Sequence, residues 1–363
     1  MRFASYHQSQ CSGFDWLGDV PAHWEIKRLK YCVVLINEKI DGVPPELPYT
    51  GLEHIESWTG KRLPADESAT SDGQSNIFKF GDVLFGKLRP YLAKVLRASA
   101  NGACTGELLV LRPKSTTQDY LFYYLLARDF INIVNSSTYG AKMPRANWEF
   151  IGNLPLQLPP LDEQRAITTF LDRETERIDS LIAKKDRQIG LLQEKRAALI
   201  SHVVTKSLSP NAKMRDSGVE WLGEIPEHWK IQRAKVLFKE INERSSTGQE
   251  ELLTVSHITG VTRRSEKNVN MFMAESLEDY KKCKPGDLVI NTMWAWMGAM
   301  GIAAEAGIVS PSYNVYRFRN NDQEPWFYDY LFRTGKFVAE VICHSQGVWT
   351  SRLRLYPEEF FET

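Results

Sequence analysis

DEQRAITTFLDRETERIDSLIAKKDRQIGLLQEKRAALISHVVTK, Asp162 to Lys206, holds no proline and a single glycine, Gly190. Its apolar residues Leu171, Ile178, Ile182, Ile189, Leu192, Leu199 and Val203 recur at gaps of seven, four, seven, three, seven and four. A period of about 3.5 residues places them on one seam of a helix built to lie against another helix. Pro159-Pro160 precede Asp162, an N-cap residue type, Glu163 follows at the positive end of the dipole, and Pro210 stands after the expected stop. At ~1.5 Å per residue the stretch spans about 67 Å, more than one compact domain needs. Lys185 and Arg196 interrupt the seam, which predicts a short or irregular pairing, or one with a polar partner.

Working outward, Ser12 to Arg28 (SGFDWLGDVPAHWEIKR) and Ser217 to Arg233 (SGVEWLGEIPEHWKIQR) match at a constant offset of 205 residues. The offset continues inward, where Gly81-Asp82 answers Gly286-Asp287 and Arg112 answers Arg317. With one residue of slippage, Tyr120 to Leu125 answers Trp326 to Leu331. The chain is therefore a tandem duplication of a whole domain with its helix. The expected fold is α+β: two duplicated mixed α/β domains joined by a long coiled-coil-type helix, over 1–158, 159–210 and 211–363.

At 363 residues and 43% hydrophobic content the chain can build two cores. Forty-five basic residues balance forty-five acidic ones, so any nucleic-acid surface has to be a local patch. Five cysteines without CxxC spacing point to a reducing cytoplasm and away from a zinc ribbon. No run of 18 apolar residues and no leader pattern suggests membrane or secretion.

In the first copy, Leu29 to Ile36 reads as a strand or short helix, Ile77 to Phe80 and Val83 to Phe85 as β segments either side of a turn, and Glu107 to Arg112 as a buried strand. Asp119 to Asn135 reads as one amphipathic helix. From Val83 to Gly106 no acidic residue occurs, while Lys87, Arg89, Lys94 and Arg97 are basic and Tyr91 sits among them. Ser136 to Trp148, with Lys142 and Arg145, again lacks carboxylates. Such loops can neutralise phosphates and reach base edges, although each residue is equally compatible with an ordinary solvated loop.

The second copy keeps the plan and changes the content. Arg263 and Arg264 mark a basic turn; Leu288 to Ala304, containing Asn291, carries no charge; and Cys343 to Arg354, with Gln346, Arg352 and Arg354, occupies the place of the earlier basic loop. Trp294 and Trp296 are spaced to share one face of a strand, as core or as a partly exposed platform. His23 and His228 recur beside Trp24 and Trp229, which suggests scaffold roles. No phosphate loop, GxGxxG, GxSxG, HExxH or Asn-Pro-Pro-aromatic motif is present, and no metal set stands out.

The SGxxWLGxxPxHW opening of each copy, FGDVLFGKLRPYLAK (Phe80 to Lys94) and LPLQLPPLDEQRAITTFLDRETERIDSLI (Leu154 to Ile182) closely resemble the specificity subunit of type I restriction-modification enzymes. The resemblance implies a non-catalytic, cytoplasmic, sequence-specific DNA-binding subunit whose two target-recognition domains each read one half of a split asymmetric site in double-stranded DNA. It implies methyltransferase subunits docked on the conserved helices and ATP-driven restriction subunits joining them. S-adenosylmethionine, ATP and Mg2+ would be used by those partners, with no cofactor or metal on this chain. The side chains picked for DNA contact rest on charge and placement: Lys87, Arg89, Tyr91, Lys94, Lys142 and Arg145, then Arg263, Arg264, Asn291, Gln346, Arg352 and Arg354.

The second copy ends about where the first reaches Asn153, so the counterpart of Leu154 to Lys206 is expected to be missing. In the family those two helices pack antiparallel, which would leave this seam without its intramolecular partner. Either the chain is a truncated remnant that assembles poorly, or the helix pairs with that of a second copy to form a homodimer. A duplicated protein-binding scaffold without DNA contact is the rival reading.

Overall fold

The computed structural model describes residues 8–44, 46–64, 73–140, 142–267, 274, 276–349 and 353–363. The chain divides into two units, 1–183 and 184–363.

In the first unit a four-stranded antiparallel sheet has the order Val33–Ile36, Leu108–Pro113, Val83–Gly86, Val95–Arg97. Alternation sorts its side chains: Val83, Phe85, Leu109 and Leu111 enter the core beneath the helices. Leu84, Leu108 and Val110 enter a second core, towards a sheet ordered Lys39–Asp41, Gln74–Phe78, Gly102–Thr105, Tyr49–Thr50. The second unit repeats the main sheet as Phe238–Ile241, Tyr313–Phe318, Leu288–Asn291, Met300–Ile302. Leu84 opposite Val110 becomes Val289 opposite Val315, so register as well as order is duplicated.

The repeated Gly-Asp and Arg prove to be one device used twice. Asp82, 0% exposed, accepts from Lys79 N at 2.8 Å and from Arg112 Nε and Nη2 at 2.8 and 2.9 Å. Asp287, 1% exposed, accepts from Lys284 N at 2.8 Å and from Arg317 Nε and Nη2, both at 2.7 Å. The hydrogen bonds to these carboxylates raise both arginine pKa values above their ordinary range. Each pair staples a turn to the strand across the sheet.

Three expectations need correction. The segment read as one helix from Asp119 to Asn135 is two, Gln118–Leu126 and Arg128–Ser136, broken at Ala127 with ψ 134. No Gly or Pro marks this break. Tertiary packing makes it, by turning Phe130 onto Phe85 and Tyr124 at ring distances of 5.9 and 5.3 Å. The second-copy helices Pro325–Phe332 and Gly335–His344 start 207 residues after their counterparts, a slip of two residues and not one. The third correction concerns Trp294 and Trp296, which do not lie on a strand. The strand ends at Asn291, and Ala295–Met297 is a 3-10 turn closed by Gly298 in the left-handed region at φ 85.

The long helix runs Leu161–Lys206. Asp162 therefore sits inside the first turn, beside Glu163, and is not its N-cap. Gln164, 1% exposed, donates to Pro159 O at 2.9 Å and accepts from Thr117 N at 3.0 Å, holding the helix start against the unit. His23 Nε2 and Trp24 Nε1 grip Glu163 at 2.6 and 2.9 Å, which gives the first copy of the repeated His-Trp a structural role. Leu171 is half-buried; Ile178, Ile182, Ile189, Leu192 and Leu199 are 49–60% exposed, and Val203 is half-buried.

Candidate nucleic-acid interface

In the first unit the strand Val83–Gly86 runs out into Lys87, Leu88 and Arg89, turns through the 3-10 segment Pro90–Leu92 and returns at Lys94. Arg89 and Ala93 flank the turn at φ 51 and 46, left-handed values that cost side-chain-bearing residues on the order of 1 kcal/mol each. The loop after Ser136 holds Arg89 there. Arg89 N donates to Pro144 O at 2.7 Å and Ala146 N to Lys87 O at 3.0 Å, while Tyr139 and Arg145 exchange backbone bonds at 3.1 and 3.0 Å. Both carboxylate-free loops thus form one rim.

The rim divides the six candidates. Arg89, Tyr91 and Lys142 are exposed and Lys87 is half-exposed; among the described residues no side-chain partner holds the three cations. Lys94 turns inward, donating to Leu52 O at 2.6 Å. Arg145 braces the rim through Glu107, with Nη2 to Oε1 at 3.0 Å and Nε to Oε2 at 3.1 Å, and that bond raises its pKa. Glu107 stands just beyond the acid-free run, so distance along the chain hid the pairing. Of the four cations among the candidates on these loops other than Lys94, Arg145 is taken, and Lys87, Arg89 and Lys142 are open for a polyanion.

The second unit builds the same rim from other chemistry. Asn291 N donates to Ala299 O at 2.9 Å where Gly86 N donates to Lys94 O, and Leu355 N donates to Thr292 O at 3.1 Å where Ala146 N reaches Lys87 O. Gln346 and Arg354 exchange backbone bonds at 2.9 Å as Tyr139 and Arg145 do. At the positions of Arg89 and Tyr91 stand Trp294 and Trp296, rings nearly parallel at 18° with centroids 6.4 Å apart. Trp296 Nε1 is tied to Met293 O at 3.0 Å and Trp294 is 50% exposed.

The remaining second-copy candidates scatter. Arg263 is clasped by Glu305, with Nε to Oε1 at 2.7 Å, which raises the arginine pKa and lowers that of the carboxyl. Gln346 donates to Glu359 at 2.8 Å. Asn291 is buried, its Oδ1 without a partner among the described residues, and Arg264 is half-exposed and engaged. Arg354 is exposed, and Arg352 lies outside the described residues. Sequence reasoning passed over Val348 and Trp349, both strongly exposed in the loop joined to this rim; nothing in their spacing marked them. Among the described residues no group of three His, Cys, Asp or Glu side chains could hold a metal, and no helix is long and apolar enough to cross a membrane.

Duplicated α/β units around a long helix are a fold shared with solved type I specificity subunits. The crystal structure of the HsdS subunit from Thermoanaerobacter tengcongensis superposes with a TM-score of 0.54 at 17% identity, over 97% of this chain and 86% of that one. A chain from a structure concerned with complex assembly and conformational transition of the type I R-M system gives 0.61 at 17% identity, over 94% and 85%. Residues 59–190 match the family model of the type I restriction modification DNA specificity domain, and the chain is similar in sequence to type I specificity subunits. It is 27% identical to the Escherichia coli EcoDI specificity subunit over 58% of this chain and 46% of that one. With the MjaVIII specificity subunit of Methanocaldococcus jannaschii it is 26% identical, over 60% and 49%. The chain spans about half the length of the curated relatives it matches.

Proposed function

We propose that this chain is a non-catalytic DNA-reading subunit of a type I restriction-modification assembly, each unit contacting one half of a split site. The observation that carries the reading is the pair of rims: one backbone frame, presenting Lys87, Arg89 and Tyr91 in one unit and Thr292, Trp294 and Trp296 in the other. A common frame with divergent tips suits two versions of one ligand class. Cations would set register on phosphates, while groove contacts discriminate bases. Methyltransferase subunits would supply S-adenosylmethionine chemistry on an adenine drawn out of the stack, and restriction subunits would use ATP and Mg2+. The five cysteines, all free, suit a reducing cytoplasm.

Co-expression with the neighbouring methyltransferase subunit, followed by sequencing of methylated adenines, tests the reading. The expected result is a split asymmetric methylated motif. A stable complex that methylates nothing would overturn the reading role, and loss of all association would leave a remnant.

A second copy of this chain is the further partner proposed, through the exposed helix seam. Sedimentation at micromolar concentration should show a dimer that Ile182→Glu together with Leu192→Glu dissociates. A monomer throughout would remove the homodimer.

A further inference from the structure

We propose that Trp294, backed by Trp296, is a stacking platform for an unstacked DNA base, and that the second unit engages its half-site through ring contact where the first uses charge. The inference rests on the DNA-reading function above and assigns that function a residue and a mode. Three observations carry it. The indole of Trp294 is half in water although the unit has a core to take it, and its ring lies 18° from that of Trp296. Trp296 is locked by its own Nε1 bond to Met293 O, so the supporting ring is preorganised. The turn that carries them shares its closing bonds with the one that carries Arg89 and Tyr91: Met297 N to Trp294 O at 3.0 Å answers Leu92 N to Arg89 O at 2.9 Å, and Gly298 N to Ala295 O at 2.7 Å answers Ala93 N to Pro90 O at 2.8 Å.

Tyr91, the counterpart of Trp296, is itself 45% exposed, so an aromatic ring faces outward in both units. What differs is the neighbour, a guanidinium in one and an indole in the other. From Leu288 to Ala304 the second loop has no charge, so it releases no counterions from DNA, and its contribution to affinity should not depend on salt. Bases within a duplex have both faces covered. An indole can stack only on a base already out of the helix, and such stacking tolerates any base because every base has a π-face.

The test uses the full chain, a fully paired fluorescent duplex and the same duplex with a single-nucleotide bulge. Wild-type protein should bind the bulged duplex about 10-fold more tightly, with tryptophan emission quenched. Trp294→Ala should abolish the preference and leave the salt slope unchanged, while Trp294→Phe should keep most of it. Lys87→Ala with Arg89→Ala should weaken both duplexes equally and preserve the preference. Equal wild-type binding to the two duplexes, or a preference that survives Trp294→Ala, overturns the platform but leaves DNA reading standing. Failure of wild-type protein to bind either duplex overturns both. Should Trp294→Ala unfold the unit, Trp294→Phe and the wild-type quenching decide.

Discussion

Arg112→Met is expected to destabilise the first unit by about 3 kcal/mol, the lower end for breaking a buried ion pair, because the guanidinium is itself about one-third exposed. Asp82 would keep a single N–H donor, Lys79 N, in a site closed to water. Arg317→Met should do at least as much to the second unit, since that guanidinium is the more buried and also reaches Glu243 at 3.3 Å. The two units need not unfold together, so the readout is hydrogen exchange of the amides of Val83–Gly86 and of Leu288–Asn291. Each substitution should loosen only its own strand. A loss below about 1 kcal/mol in both units would mean that the pairs are not stabilising staples.

Charge reversal of the open cations is the larger expected effect on function. Lys87→Glu with Arg89→Glu should weaken DNA binding on the order of 100-fold at low salt and lower the slope of log affinity against log salt by about 2, roughly 0.9 for each phosphate no longer neutralised. Nothing in the fold opposes the change, since neither side chain has a partner among the described residues. Arg145→Glu would behave differently: it sets two carboxylates against each other at the Glu107 site and should open the rim, lowering stability together with binding. A protein that served only as a scaffold would show no salt-dependent DNA binding for Lys87 and Arg89 to support.

Legibility followed the distance over which each property is decided. The helix Leu161–Lys206 was readable almost to the residue, because a heptad seam, the proline pair before it and acidic residues at its start are all local. The strands around Val83 and Leu109 were readable from apolar runs, and the duplication from a constant offset. The break at Ala127 was not, since it comes from packing of Phe130 on Phe85 and has no local breaker. Nor was the partnership of Arg145 with Glu107 or of Arg263 with Glu305, 38 and 42 residues apart.

By itself the sequence determined that the chain is two copies of one α/β plan around a long helix, that the copies differ at their loops, and that the resemblance is to DNA specificity subunits. Periodicity and repetition are written in residue order and survive without coordinates. Only the tertiary structure decided which candidates face outward. Lys94, Arg145 and Arg263 look as free as Lys87 and Arg89 when read along the chain, yet the fold brings an acceptor to each of the first three and, among the described residues, none to the other two. A cation's availability depends on what folding places within hydrogen-bond reach, and those neighbours lie far away along the chain.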